Sequence, residues 1–456
     1  MTPHYETPEV TLWHGDCLDV LRTLPDASVD DVVTEPPYGL ELMGKEWDAP
    51  WKADGSVVAD PASVGGFQDG NGGNPYSRSR IRFGVGAGFQ QWCEQWTAEC
   101  LRVLKPGGHL LAFGGTRTWH RLAVAVEDAG FEIRDSIAWM YGSGFPKSLD
   151  VSKAIDKAAG AERKVVGRVA GAASSRTVSL GAFASEYDAT TPATDAARTW
   201  QGWGTALKPA FEPIVVARKP LAGTVAGNVL AHGTGALNID GCRVEHASEA
   251  DRTESVGKNR HADFGTAPGQ NNVYGDYSGT AVRNYDGSKG RWPANVVLDE
   301  DQAAALDEQS GESQARIGKS RGAAPGDDWG MTATGAEYDD LGGASRFYYV
   351  AKADASERPK VGGVAHPTVK PIALMRWLVR LVTPPGGIVL EPFAGSGTTV
   401  EACLIEGFRC VAIEKTDAYL PLIEARIHRR RDPVAAARLA DNTEDSLFDL
   451  LDEAGA

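Results

Sequence analysis

The stretch IVLEPFAGSGTTVEA, at residues 388–402, constrains the fold of this chain more than any other. Its pattern is that of a buried strand, a glycine turn and the start of a helix. Gly395 and Gly397 allow a tight turn whose backbone N–H groups can approach a ligand at the helix N-terminus. Glu414 ends the next predicted strand, 19 positions after Gly395, where a carboxylate can accept both hydroxyls of a ribose. The pair predicts a site for a cofactor that contains a nucleoside.

The residues around the turn restrict the type of cofactor. A Walker loop needs a lysine after its last glycine, and no lysine follows Gly397, which argues against a P-loop NTPase. A dinucleotide site needs a small residue where this chain has Val400, because the helix packs closely on the strand there. S-adenosylmethionine, which has no pyrophosphate, fits better. A dehydrogenase-like nucleotide enzyme remains a disfavoured alternative.

The order of apolar runs and turn residues predicts an α/β fold. Short apolar strands alternate with amphipathic helices before residue 150 and after residue 346, which is typical of a doubly wound sheet. Between them, Gly-, Ser- and Asn-rich sequence predicts an irregular insertion. The predicted regions are a catalytic half at 1–150 with a long lid loop at 44–88, an insertion and recognition region at 151–345 whose residues 206–220 return to the sheet, a cofactor half at 346–432, and an acidic tail at 433–456.

Composition excludes several classes of protein. The 456 residues carry 46 Lys and Arg against 61 Asp and Glu, a net charge of −15, so any nucleic-acid contact must come from local basic clusters. No apolar run approaches the roughly 20 residues of a membrane helix, and the N-terminal sequence predicts no signal peptide. Six scattered cysteines without a C-x-x-C pair predict reduced thiols, no metal site and a cytoplasmic location.

A second motif, Glu35-Pro36-Pro37-Tyr38, follows the predicted strand at residues 31–34. The two prolines lack N–H donors and leave carbonyl acceptors, Glu35 adds a carboxylate, and Tyr38 adds an aromatic face. Acceptors beside a stacking face suit the exocyclic amino group of an extruded adenine or cytosine. A rigid turn with a packed tyrosine is the alternative interpretation of these four residues alone.

Together the two motifs resemble those of the permuted (beta-class) DNA amino-methyltransferases. In that family Asp/Asn/Ser-Pro-Pro-Tyr/Phe/Trp precedes Phe-x-Gly-x-Gly, which is met here by Phe393, Gly395 and Gly397. GSGFPKSLDVSKAID and WGTALKPAFEPIVVARKP are also similar to phage and prophage members. The resemblance implies a Rossmann-like, seven-stranded methyltransferase sheet with an inserted target-recognition region. It further implies site-specific methyl transfer from S-adenosylmethionine to N6 of adenine in double-stranded DNA, as in restriction–modification, and often a homodimer.

The resemblance also implies roles for individual residues. Glu35, Pro36, Pro37 and Tyr38 would hold the target base. The methionine and ribose of the cofactor are expected to be lined by Phe393, Ala394, Gly395 and Gly397, and the ribose hydroxyls to be bound by Glu414. Asp16 is expected near the cofactor adenine, and Thr368 and Lys370 belong to the segment expected over the methionine end. Metal is not required for this chemistry.

One residue departs from the family pattern. Glu35 stands where Asp is usual for adenine and Ser is frequent for cytosine, and Glu391 is a milder change of the same kind. The longer side chain leaves two alternatives open, N4-cytosine methylation and a non-catalytic DNA-binding protein. The basic clusters that could contact DNA are Arg78, Arg80 and Arg82, Arg117 and Arg121, Lys208, Arg218 and Lys219, and Arg429–Arg431.

Overall fold

Strands and helices alternate along the chain in the computed structural model, which describes residues 2–40, 83–142, 144, 148–170, 186–249, 251–252, 269–271, 275–277, 287–311, 342–351 and 357–431. The strands are β1 Tyr5–Glu6, β2 Val10–His14, β3 Asp31–Thr34, β4 His109–Phe113, β5 Glu132–Met140, β6 Lys164–Ala170, β7 Glu186–Thr191, β8 Phe211–Arg218, β9 Gly269–Asn271, β10 Gly275–Tyr277, β11 Val296–Asp299, β12 Tyr349–Ala351, β13 Lys360–Val361, β14 Val364–Ala365, β15 Ile388–Glu391 and β16 Arg409–Glu414. The helices are α1 Cys17–Leu21, α2 Phe83–Val103, α3 Trp119–Asp128, α4 Val151–Ala158, α5 Asp195–Thr199, α6 Val225–His232, α7 Glu300–Ser310, α8 Ile372–Val382, α9 Thr398–Glu406 and α10 Leu420–Arg431.

One large sheet organises most of these elements, in the order β1-β2-β16-β15-β3-β4-β8-β5-β11-β12. Its centre is parallel, since β2, β16, β15, β3 and β4 pair successively in that sense. β8 then runs antiparallel to β4, and β1 runs antiparallel to β2 at the edge. The predicted α/β class with a large, mostly parallel sheet is therefore confirmed.

The sheet is larger than the seven strands that we expected. Its described part has ten strands, because β1 extends one edge and β11 and β12 extend the other, around a run of seven from β2 to β5. The extra strands come partly from sequence predicted to be irregular. Val297 and Leu298 bury their side chains in β11, which pairs in parallel with β12. Short apolar runs such as WPANVVL stand among Gly- and Asn-rich sequence, and for that reason we predicted an irregular region here.

Helices cover both faces of the sheet. All four residues of β3 are buried, as expected for a strand between two helical layers. Val32 belongs to a core cluster with Trp96 of α2 and Leu122 of α3. The next side chain, Val33, points to the opposite face, where α8 contacts β3. The alternation makes the sheet doubly wound and leaves its strand ends as the accessible edge.

The chain divides into two compact units. The second contains Met140–Phe211, and its described part holds the antiparallel pair β6–β7 with α4 and α5. Within it, Asp156 is buried and accepts hydrogen bonds from Arg163 and from the Thr194 backbone. The first unit contains nearly all of the large sheet, including β8 from Glu212 onward. The region that we predicted at 151–345 is thus shared between the two units.

Three sequence predictions concern residues largely outside this description. Most of the proposed lid at 44–88 lies outside the described residues, and its last positions, from Phe83, belong to α2. The acidic tail at 433–456 and the basic cluster at 78–82 lie outside as well. No helix in the described ranges is both long and apolar enough to span a membrane.

Candidate active site

The two sequence motifs meet at one edge of the sheet. β3, which carries Thr34 at its end, pairs in parallel with β15, which ends at Glu391. β15 pairs in parallel with β16, which ends at Glu414. Because parallel strands end at the same edge, the turns that follow them lie side by side, as in the ligand-binding crevices of open α/β sheets.

The glycine turn has a backbone that other residues adopt poorly. Gly395 has φ +53° and Gly397 has φ +80°, both in the left-handed region. A Cβ atom on Gly397 would lie 3.0 Å from the Cα of Ile423 in α10. Arg426, on the same helix, donates from Nε to the Ser396 carbonyl over 2.8 Å. The turn is therefore held against α10 at close range.

We expect Gly397→Ala to lower the free energy of unfolding by about 2–4 kcal/mol, because the left-handed backbone and the close approach to Ile423 both oppose a side chain. Gly407→Ala is the matched control. Gly407 has φ +76° at the other end of α9, but nothing lies within 4 Å of the position that a methyl group would take there, so about 1–2 kcal/mol is expected. Urea unfolding of both variants measures the difference. Equal losses would show that the approach of α10 is unimportant.

Glu414 supports the glycine turn directly. Its carboxylate accepts hydrogen bonds from the Gly395 N–H and the Thr416 N–H, both over 2.7 Å. Burial raises the pKa of Glu414, although these backbone hydrogen bonds act in the opposite direction. Asp16 lies nearby, since β2 and β16 are paired; it caps α1 at the Leu18 N–H and lies 3.0 Å from the Lys415 ammonium. Glu414 and Asp16, the two carboxylates predicted to bind the nucleoside, thus lie near the ends of the neighbouring strands β16 and β2.

Phe393 and Ala394 occupy the start of the turn. The Phe393 ring packs edge-on to Trp96, with centroids 5.3 Å apart, and tilted against Trp92 at 5.6 Å. Ala394 is 6% exposed, and its N–H donates to the Ile413 carbonyl. The aromatic ring anchors the turn to the core cluster, so any contact of Phe393 with a cofactor has to use its remaining surface.

The Glu35–Tyr38 turn is fixed by the strand beside it. Pro36 is buried, while Glu35, Pro37 and Tyr38 remain partly accessible. The Tyr38 carbonyl accepts a hydrogen bond from the Thr118 hydroxyl over 2.6 Å. The Tyr38 side chain packs against the turn that follows β4, since a Cβ atom on Gly115 in that turn would lie 3.2 Å from it. The motif therefore presents one carboxylate and one aromatic ring at the strand edge.

Lys370 lies at this turn and connects two carboxylates. Its ammonium contacts Oε1 of Glu35 and lies 2.9 Å from Oε2 of Glu212. The Tyr38 hydroxyl donates to Glu212 over 2.7 Å and lies 3.4 Å from Glu35. Sequence analysis did not identify Glu212, which follows Phe211 at the start of β8. It assigned Lys370 to the methionine end of the cofactor, whereas the structure places its ammonium against the Glu35 carboxylate.

Aromatic rings surround the Lys370 ammonium. It lies 5.1 Å from the ring centroid of Phe113, 5.5 Å from Tyr38 and 5.6 Å from Trp139, all within the range of cation–π attraction. The side chain of Lys370 is only 6% exposed. The group is an aromatic and acidic cage around a cation, which we call the amine cage, comprising Glu35, Tyr38, Phe113, Trp139 and Glu212.

Electrostatics in the amine cage favour the ion pair. Burial acts to lower the pKa of Lys370, but the charges of Glu212 and Glu35 outweigh it, so the pKa lies above its usual value. Burial raises the pKa of Glu35, and Lys370 opposes that effect. The lysine therefore helps to retain the negative charge on Glu35, which would otherwise be disfavoured in so enclosed a place.

The segment 366–370 reaches both turns. His366 lies beside the glycine turn, where a Cβ atom on Gly395 would be 3.2 Å from its Nε2. Its Nδ1 contacts the Thr368 carbonyl, and its ring meets Tyr419 edge-on at 4.6 Å. Burial lowers the pKa of His366 to about 4, so the ring is neutral near pH 7. Thr368 thus positions His366, a neighbour of the cofactor turn that sequence analysis did not select.

Glu391 connects the ends of the two motif strands. It accepts hydrogen bonds from the Thr34 hydroxyl, from the Thr399 hydroxyl over 2.5 Å and from the Phe393 N–H over 3.1 Å. Its side chain is 1% exposed, and burial raises its pKa to about 8. The folded protein therefore holds a proton here over a pH range in which the unfolded chain has released it.

This difference predicts that stability falls with rising pH. The pKa of Glu391 is raised on folding from 4.5 to about 8, so its favourable contribution is complete below pH 4.5 and is lost as pH rises through 8. The expected slope is up to about 1.4 kcal/mol per pH unit between these values. Glu391→Gln mimics the protonated acid and should remove that slope. Urea unfolding at several pH values tests it; parallel curves for variant and wild type would contradict it.

Most of the predicted basic DNA contacts in the part of the chain that the structure describes have partners within the protein. Arg218 pairs with Glu132 at 2.6 Å, and Lys219 donates to the Leu104 carbonyl. Further partners are the Gly142 carbonyl for Lys208, Gln90 for Arg121, and Glu401 for Arg429 and Arg430. Clustering of basic residues in sequence therefore does not distinguish intramolecular partners from a binding surface.

Comparison with known proteins agrees with the two motifs. A family model described as DNA methylase, of the N6/N4 methyltransferase type, matches residues 29–425. Type II methyltransferase M.HindIII of Haemophilus influenzae is 23% identical over 246 residues, which are 50% of this chain and 64% of that protein. Type II methyltransferase M.BamHI of Bacillus amyloliquefaciens is 32% identical over 111 residues, 24% of this chain and 19% of that protein. These alignments span less than two thirds of each relative's length.

The solved structures add no further argument. The PvuII DNA methyltransferase, described as cytosine-N4-specific, aligns at 12% identity over 96% of this chain and 93% of its own, with a TM-score of 0.40. A likeness of that degree does not discriminate between target bases. The family match rests on the sequence, and the arrangement of the site rests on the geometry above.

Proposed function

Because this chain belongs to the N6/N4 DNA methylase family, we propose that it transfers a methyl group from S-adenosylmethionine to N6 of adenine in double-stranded DNA. The observation that carries the proposal is the position of the Glu35 carboxylate. It stands beside the Tyr38 ring at the end of β3, one strand away from the glycine turn and two from Glu414.

The residues at the glycine turn fit the cofactor. The left-handed Gly395 and Gly397 leave backbone close to the surface without side chains, and Glu414 offers a carboxylate at the end of the neighbouring strand. S-adenosylmethionine supplies an electrophilic methyl group on a sulfonium. In this proposal Phe393, Ala394, Gly395 and Gly397 line its methionine and ribose, Glu414 holds the ribose hydroxyls, Asp16 lies near its adenine, and Thr368 lies at its methionine end.

Glu35 and Tyr38 would prepare the target amine. The lone pair of an exocyclic amine is delocalised into the base, which makes the nitrogen a poor nucleophile. Hydrogen bonds from its N–H groups to Glu35 and the Pro36 carbonyl would favour tetrahedral geometry and stabilise the positive charge that develops there. Pro37 keeps the turn rigid. Stacking of the extruded base on Tyr38 would contribute roughly 1–3 kcal/mol, as in single-strand binders.

Finer features of the family resemblance belong to the same proposal. The catalytic motif at 35–38 precedes the cofactor motif at 393–397, which supports the permuted class. The Type II relatives support a role in restriction–modification, and GSGFPKSLDVSKAID and WGTALKPAFEPIVVARKP support a likeness to phage members. A cytoplasmic location and a homodimer accompany that class. We propose sequence recognition for residues 221–345 and closure over the base for the part of the 44–88 segment that lies outside the described residues, 44–82.

Nucleoside mass spectrometry tests the proposed reaction. Mixed-sequence duplex DNA is incubated with the protein and S-adenosylmethionine that carries a labelled methyl group, then digested to nucleosides. Labelled N6-methyladenine is the expected product. Labelled N4-methylcytosine would instead identify cytosine as the target base, since the same turn suits both amines. Retained cofactor binding without any product would favour a non-catalytic DNA-binding protein.

A further inference from the structure

The amine cage contains a carboxylate that the proposed reaction does not use. Glu212 is the first residue of β8 after Phe211, and it contacts the same ammonium as Glu35. Its position 177 residues after Glu35 separates it from the recognised motif. A second acid at this point needs an explanation, because burying two carboxylates beside one another is unfavourable unless a cation serves both.

Lys370 obstructs the chemistry proposed for Glu35. Its ammonium is a nitrogen with N–H donors and a positive charge, as is the target amine while the methyl group arrives. The ammonium already contacts Oε1 of Glu35 and lies between the rings of Tyr38 and Trp139. Lysine and target amine therefore compete for one carboxylate and one set of aromatic faces.

We propose that Glu212 is a positioning residue, which retains the Lys370 ammonium when the target amine takes over the hydrogen bonds of Glu35. The inference rests on the proposed function and assigns a role within that same site. Glu212 already lies 2.9 Å from the ammonium, so release of Glu35 leaves Lys370 with an ionic partner. The Tyr38 hydroxyl holds Glu212 in place over 2.7 Å.

The charges of the group support this assignment. Glu35 and Glu212 carry two negative charges, and Lys370, the cation that both contact, carries one positive charge. One negative charge then remains to meet the positive charge that develops on the methylated amine. Without Glu212, Lys370 would neutralise Glu35 completely. Exchange would also leave a buried ammonium without a carboxylate, which is strongly unfavourable.

Glu212→Gln tests the proposal by single-turnover methylation of duplex DNA. We expect the rate of the chemical step to fall about 10- to 100-fold, with the dissociation constant of S-adenosylmethionine unchanged. Glu212→Asp keeps a carboxylate and should lose less. Glu132→Gln is the matched control, because Glu132 also pairs with a buried cation, Arg218, on the same sheet, and its rate should equal that of wild type.

The double variant Glu212→Gln/Lys370→Met separates positioning from a merely structural role. Removing the competing lysine should raise the rate of the Glu212→Gln variant several-fold at about pH 8.5. A high pH is used because the double variant lacks Lys370, whose charge opposes the effect of burial on the pKa of Glu35; the titratable neighbours of Glu35 are Lys370, Glu212, Tyr38 and Glu391. A wild-type rate for Glu212→Gln, or a further loss in the double variant, would overturn the inference. A wild-type protein that binds cofactor without methylating DNA would instead overturn the proposed function, and this inference with it.

Discussion

Glu35→Gln is expected to lower the rate of methyl transfer to DNA by about 10²–10³-fold while leaving the affinity for S-adenosylmethionine unchanged. Glutamine has nearly the same shape but cannot stabilise the positive charge on the target nitrogen. It also leaves Lys370 with Glu212 as its anionic partner. Single-turnover transfer of a labelled methyl group measures the chemical step, and equilibrium binding measures the cofactor.

Glu35→Asp is the control that separates the effect of the negative charge from the effect of side-chain length. It keeps the carboxylate but shortens the side chain by one methylene, so its rate should lie between those of wild type and Glu35→Gln. A faster rate for Glu35→Asp than for wild type would mean that the longer side chain limits the enzyme, as the family preference for Asp suggests. An unchanged rate in Glu35→Gln would contradict the role that we propose for this carboxylate.

Glu401→Gln is expected to lower the free energy of unfolding by about 3–5 kcal/mol, the loss typical when a buried ion pair is left with one member. Glu401 is fully buried in α9 and Arg426 is 1% exposed. Arg429 and Arg430 also bind this carboxylate, at 2.5 and 2.9 Å. Glutamine preserves the packing volume but removes the negative charge that these arginines share. Urea unfolding at pH 7 measures the loss.

The same variant should weaken cofactor binding. Arg426 donates to the Ser396 carbonyl in the glycine turn, so loss of its carboxylate partner loosens the contact of α10 with that turn.

Asp19→Asn is the matched control for the unfolding measurement, because the Asp19–Arg22 pair is more than half exposed and such pairs contribute about 0–1 kcal/mol to stability. If Glu401→Gln lowers the free energy of unfolding by less than about 1 kcal/mol, the arginines find other partners in the variant.

Acid should weaken this network as it protonates Glu401. Burial acts to raise the pKa of Glu401, but hydrogen bonds and charges from Arg429 and Arg426 outweigh it and hold the pKa below 4.5. Its contribution is therefore present above the unfolded value and disappears as pH falls through the lower, folded value. This pH dependence is opposite to that of Glu391, whose contribution to stability is complete at low pH.

The local features of this protein were predictable from its sequence. The strand at Asp31–Thr34 was predicted with its observed bounds, because the apolar pair Val32 and Val33 leads directly into the rigid Pro-Pro turn. The turn at Gly395 and Gly397 and the carboxylate of Glu414 were also recognised, since a left-handed turn at a strand end demands particular residue types. The parallel sheet follows from the regular alternation of strands and helices.

The partners of the catalytic turn were decided by the tertiary structure alone. Glu212 and Lys370 lie 177 and 335 positions from Glu35, and neither belongs to a local pattern that indicates an ion pair with it. Lys370 was assigned to the cofactor because HPTVKP resembles the family segment that covers its methionine end, but the long side chain reaches the turn at Glu35. Chain distance carries no information about such contacts, because the sheet places β8 beside β4 and α8 against β3.

Backbone conformation and hydrophobic periodicity are set by neighbours within a few residues, so the sequence by itself determined the two turns and the strands that lead into them, but not the short strands β11 and β12. Strand order, and with it the sharing of one buried ammonium by two carboxylates, depends on which distant surfaces pack together. Burial then raises the pKa of Glu35 and of Glu391, since the free energy of a charge depends on everything around it.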